Sequence, residues 1–145
     1  MKRMNSEARE LLFRVIDKRL VEAAAAKNSL SSVHPASVSA YLKSCLLYWA
    51  NISTYLEGMR GMVKGFRFGE AENTQTKAMQ FIWYCSRSMS EVENGVRERR
   101  GSLSRDEFDR CLQSCRHAYA AIGLVRDGLE PFRPGRKDYI LNGQT

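Results

Sequence analysis

Between Val38 and Val63 the apolar residues fall at Val38, Leu42, Cys45, Trp49, Ile52, Leu56, Met59 and Val63, in alternating steps of four and three. Only an α-helix turns that spacing into one straight stripe. Tyr41, Tyr48, Tyr55 and Met62 recur every seven residues beside it and widen the apolar face. A face so broad needs several neighbours, which a helical bundle supplies and a two-stranded coiled coil does not.

The same period appears three more times. Asn5 or Ser6 caps a first helix reaching about Lys27, with Leu12, Ile16, Leu20 and Ala24 as its inner stripe and Leu11 and Val15 beside it. The run Ala23 to Ala26 is thin and favours helix. Serines and His34-Pro35 mark a connector before the long helix, whose last turns are weakened by Gly58, Gly61, Gly65 and Gly69. A third helix, from about Glu70 to Arg100, carries Ala78, Ile82, Cys85, Met89, Val92 and Val96, broadened by Phe81, Trp83 and Tyr84. The fourth has the clearest start: Ser104 with Glu107 forms a capping box, and Leu103 with Phe108 a hydrophobic staple. Its stripe is Phe108, Leu112, Cys115, Tyr119 and Ile122, and Gly128 with Pro131 and Pro134 ends it. No strand signal appears. The pattern predicts an all-α protein, an antiparallel up-down-up-down four-helix bundle over residues 1–128, followed by a short extended C-terminal tail over residues 129–145 in which Tyr139, Ile140 and Leu141 dock on a neighbour.

A chain of 145 residues, 43% hydrophobic and 27% charged, suits one folded domain rather than a disordered segment. Its uncharged stretches, residues 28–42 and 44–56 the longest of them, are too short to span a bilayer, and no secretory signal is present, which places the protein in the cytoplasm without a membrane partner. Cys45, Cys85 and Cys115 lie on the stripes and Cys111 borders one, as expected of buried free thiols. Cys111 and Cys115 are a helical pair without the second pair a zinc site needs, so no metal and no cofactor are expected.

Charge changes the picture more. The net charge is +7, mostly from arginine, which pairs bidentately with phosphate, and the expected partner is therefore RNA or DNA. Arg60, Lys64 and Arg67 interleave with Phe66 and Phe68 after the second helix. Arg97, Arg99, Arg100 and Arg105 crowd the third connection, beyond what a helix C-terminus requires. Arg133, Arg136 and Lys137 lie in the tail. With short connections, Lys2, Arg3, Arg60, Lys64, Arg67, Arg126, Arg133, Arg136 and Lys137 gather at one end of the bundle, and Lys27, His34 and the Arg97 to Arg105 cluster at the other.

No nucleophile triad, Gly-rich phosphate loop or HExxH pattern is present, and no catalytic residue is assigned. Arg110 and His117, separated by six residues on the outer face of the fourth helix, have a spacing compatible with the Arg-to-His motif of HEPN ribonucleases, an alternative in which a dimer cleaves RNA. A protein-interaction adaptor or small helical subunit of a larger assembly is the other alternative.

Asn51-Ile52 followed by Glu57-Gly58, and Ser88-Met89-Ser90-Glu91-Val92-Glu93, resemble the NIxEG and GSxxExE patterns on helices two and three of the ribosomal-RNA intervening-sequence four-helix-bundle proteins. The accessory variability determinants of diversity-generating retroelements are similar to that family. Here the gap after Ile52 is longer, and Arg87 stands where the family has glycine. The resemblance implies a basic homo-oligomer, often a pentamer, that binds nucleic acid and, in the retroelement branch, partners a reverse transcriptase. The expected function is a non-enzymatic nucleic-acid-binding accessory subunit of an RNA- or DNA-processing complex.

Overall fold

The computed structural model describes residues 6–65 and 67–133. Four long helices make up most of it: α1 (Ser6–Ser31), α2 (Ser39–Lys64), α3 (Phe68–Glu98) and α4 (Arg105–Gly128). Single 3-10 turns occur at Ala36–Val38, Arg100–Ser102 and Glu130–Phe132, and the described residues contain no strand. Lys2, Arg3, Phe66, Pro134, Arg136, Lys137, Tyr139, Ile140 and Leu141 lie outside the described residues.

The α2 stripe is the centre of the core. Cys45, Trp49, Ile52, Leu56, Met59 and Val63 are fully buried, with Val38 just ahead of the helix and Leu42 half-buried. Trp49 buries its whole ring while its indole N–H donates to the Ala23 carbonyl of α1, which removes the cost of an unpaired donor. The second row closes the seam with α3. Tyr48 stacks on Tyr84 at 5.3 Å and Tyr55 on Phe81 at 5.6 Å between ring centroids. Each helix touches two others, α2 lying against α1 and α3, and α4 against α1 and α3.

The structure departs from the sequence reading at four places. α1 continues to Ser31, and its buried residues run Leu12, Ile16, Ala23, Ala26, Leu30, with Ala24 exposed. Helical drift moves the stripe by one position through the alanines, where every residue is apolar and the phase has no marker. α2 stays helical through Gly58 and Gly61 to Lys64. Trp83 is 56% exposed rather than part of the α3 core face. The core also continues beyond residue 128, because Leu129 and Phe132 are buried on either side of Pro131. Gly128 and Pro131 stop the α-helix but allow a 3-10 turn that folds those two side chains inward.

The α1–α2 connection is fastened to two helices. Ser32 and Ser114 hydroxyls lie 2.8 Å apart, and the Cys111 thiol donates to the Val33 carbonyl. Val33 has a φ of 42°, unusual for a β-branched residue, and these two contacts hold it there. Val38 then plugs into α3 at Gly95, where a Cβ would stand 2.4 Å from Val38 Cγ1.

Candidate nucleic-acid interface

The candidate basic residues within the described chain fall into two groups, towards either end of α3. The 31-residue α3 sets them roughly 30–45 Å apart at 1.5 Å per residue. Before α3 stand Arg60 and Lys64 of α2 and Arg67 of the connection. Arg133 joins them, since the Gln75 side-chain amide near the start of α3 donates to the Leu129 carbonyl at 3.2 Å, four residues before it. After α3 come Arg97, Arg99, Arg100 and Arg105.

The first group is largely engaged. Arg60 Nε lies 2.8 Å from Asp17 Oδ1, and its guanidinium carbon lies 5.1 Å from the centre of the Phe13 ring. Arg67 pairs with Glu70 at 3.1 Å and Arg133 with Glu130 at 3.5 Å. All are half-exposed pairs worth about 0–1 kcal/mol, so a phosphate can compete for them. Lys64 is exposed and has no ion pair among the described residues.

The second group is freer. Arg97 reaches Glu93 at 3.5 Å, whereas Arg99, Arg100 and Arg105 are exposed and have no ion pair among the described residues. Their positions follow from local folding. α3 ends at Glu98, the 3-10 turn Arg100–Ser102 reverses the chain, and Ser104 restarts a helix by accepting the Glu107 N–H at 3.1 Å while its hydroxyl donates to the Glu107 carboxylate at 3.0 Å. Leu103 is half-buried and Phe108 buried against the core, as the staple predicts. The turn lays Arg100 over the Phe108 ring, guanidinium carbon 5.3 Å from its centre. An open pocket of about 550 Å³ remains, lined by Arg100, Leu103, Arg105, Phe108 and Asp109. Phe108 was legible as a staple and Asp109 carried no sequence signal as a lining residue. Helix spacing sets them beside Arg105, and the turn brings Arg100 to them.

Arg110 and His117 are both exposed on α4. Arg110 lies 3.8 Å from Asp106, and the Gln113 side-chain amide lies 3.0 Å from His117 Nε2. The second histidine, His34, sits in the α1–α2 connection, and neither of its ring nitrogens has a hydrogen-bond partner among the described residues. Burial pushes its imidazole below the ordinary value, with the Ser29 backbone acting the other way.

All four cysteines are buried free thiols. Cys45 and Cys85 face each other across α2 and α3, sulfur to sulfur 3.1 Å. Their mutual hydrogen bond, then burial, hold the Cys85 thiol far above its usual range. Burial pushes Cys115 up to about 11, with the Glu93 carboxylate adding to it. Among the described residues no group of three His, Cys, Asp or Glu side chains is placed to hold a metal ion, and no helix is long and apolar enough to cross a membrane. Comparison with protein-family models, curated proteins and solved structures found no match to this chain.

Proposed function

We propose that this protein is a non-enzymatic, basic helical bundle that binds single-stranded nucleic acid and self-associates as an accessory subunit of a nucleic-acid-processing complex. The observation that carries the reading is the arginine turn between α3 and α4. Arg99, Arg100 and Arg105 are exposed and unpaired among the described residues, on a chain of net charge +7. Guanidinium groups left without carboxylate partners are the natural counterions of phosphate. An antiparallel up-down-up-down arrangement suits the contacts, because partners run in opposite order along each pair of helices. Asp17 meets Arg60 and Ala23 meets Trp49, Cys45 meets Cys85 and Met62 meets Thr74, and Gln75 meets Leu129 while Ser90 meets Tyr119.

Self-association draws support from exposed apolar side chains on α2 and α3. Leu47 is 64% exposed on α2 and Trp83 56% on α3, with Tyr41 also exposed. Large aromatic side chains left in water are the usual material of an interface.

Binding is tested by fluorescence anisotropy with a labelled single strand. Replacing Arg99, Arg100 and Arg105 together by alanine is expected to cut affinity by about tenfold or more while helical content and unfolding midpoint stay the same. The ribonuclease alternative is tested in parallel. The protein should leave single-stranded RNA intact, and cleavage abolished by both His117→Ala and Arg110→Ala would overturn the non-enzymatic reading.

A further inference from the structure

The pocket at the arginine turn contains more than positive charge. A site that only collected phosphates would be lined by cations, yet Asp109 contributes a carboxylate, and it has no ion pair among the described residues. A carboxylate can only accept hydrogen bonds, so this position suits a ligand that brings N–H or O–H donors as well as negative charge. Arg100 is the second unusual element. Its guanidinium carbon lies 5.3 Å from the centre of the Phe108 ring, and both side chains belong to residues that line the pocket. A guanidinium plane is a stacking platform for a flat ring. Arg105, the first residue of α4, adds an exposed cation to the lining.

Stacking plane, cation and acceptor together describe one chemical unit: a flat base that stacks and donates, joined through a sugar to a phosphate. The volume of about 550 Å³ lies within the roughly 300–1,000 Å³ of small-molecule clefts, enough for one such unit. We infer that this pocket seats a single nucleotide of a bound strand, its base on the Arg100–Phe108 stack, its phosphate on Arg105, and a donor of its base or sugar on Asp109. The inference rests on the nucleic-acid reading above and adds to it a contact that recognises the base. An acidic peptide, the competing occupant for two arginines, is disfavoured because its carboxylates meet Asp109 with like charge.

The test compares two labelled ten-nucleotide strands of equal charge, one carrying bases and one abasic throughout, by anisotropy against the full chain. The wild type should bind the base-bearing strand about tenfold more tightly than the abasic one, the scale of one base stacked on a side chain. Arg100→Lys, which keeps the charge and removes the plane, should erase that preference, whereas Arg105→Ala should weaken both strands alike. The unfolding midpoint of each variant, compared with the wild type, shows that it folds. Ribose and deoxyribose versions identify the donor. A loss in Asp109→Asn confined to ribose strands places Asp109 on the 2′-hydroxyl, and a loss shared by both places it on the base edge; either supports the seat. Equal binding of base-bearing and abasic strands by the wild type would overturn the pocket and leave the electrostatic reading standing. Binding of neither strand would sink both. Displacement of the base-bearing strand by decaglutamate at lower concentration than by an unlabelled copy would overturn the pocket in favour of a peptide.

Discussion

Gly95 and Gly128 are enclosed by their neighbours, while Gly58 and Gly61 face open space. A Cβ on Gly95 would meet Val38 Cγ1 at 2.4 Å, and one on Gly128 would fall 1.7 Å from Arg19 Nε, whereas one on Gly58 or Gly61 meets nothing within 4 Å. Val38 is β-branched and cannot rotate away cheaply. Gly95→Ala should therefore lower stability by about 1–3 kcal/mol, and Gly58→Ala and Gly61→Ala should each raise it by up to about 1 kcal/mol. Urea midpoints decide the matter, and an unchanged midpoint for Gly95→Ala would mean that Val38 does not sit where it is placed. The thiols make a second case at this scale. Cys115 is fully buried and its folded pKa is raised to about 11 from 9.0, so the folded chain holds that proton more tightly than the unfolded chain does. Its contribution is intact below about pH 9 and is lost as pH rises toward 11, by at most about 1.4 kcal/mol per pH unit. Denaturant midpoints should fall over that window, less steeply in Cys115→Ala. At pH 8 a thiol reagent such as Ellman's should leave all four cysteines of the folded chain unmodified.

Among the elements, α4 owes its start to Ser104, whose hydroxyl oxygen accepts from the Glu107 N–H. Ser104→Ala should cost about 1 kcal/mol and, by loosening the first turn, move Arg105 relative to Arg100; thermal unfolding and strand affinity read the two effects separately. The stripes of α2 and α3 were legible because each alternates steps of three and four without a break, from Cys45 to Val63 and from Ala78 to Val96. The cap of α4 was equally plain. Illegible features had physical causes. Ala23 to Ala26 gave the α1 stripe no phase, and Pro131 read as a stop although a 3-10 turn carries Leu129 and Phe132 into the core. The arginine cluster was visible as composition, but the pocket depends on three residues, Arg100–Ser102, folding back so that Arg100 reaches Phe108 eight positions later. No periodicity encodes that.

At the scale of the whole molecule the candidate basic residues form two groups roughly 30–45 Å apart along α3. Leu47 of α2 and Trp83 of α3 are exposed between those levels, near the Cys45–Cys85 contact, and light scattering should report a mass above the 16.6 kDa of one chain. Association through that surface would multiply arginine turns in one particle and strengthen binding through effective concentration. The most direct test of the central claim is the affinity of the wild type for a labelled 20-nucleotide single-stranded RNA between 25 and 300 mM salt. Contact with about three to five phosphates predicts a plot of log affinity against log salt with a slope of about −2 to −4, flattened when Arg99, Arg100 and Arg105 are alanine. No detectable binding at 25 mM salt, or an affinity that does not change with salt, would contradict the account.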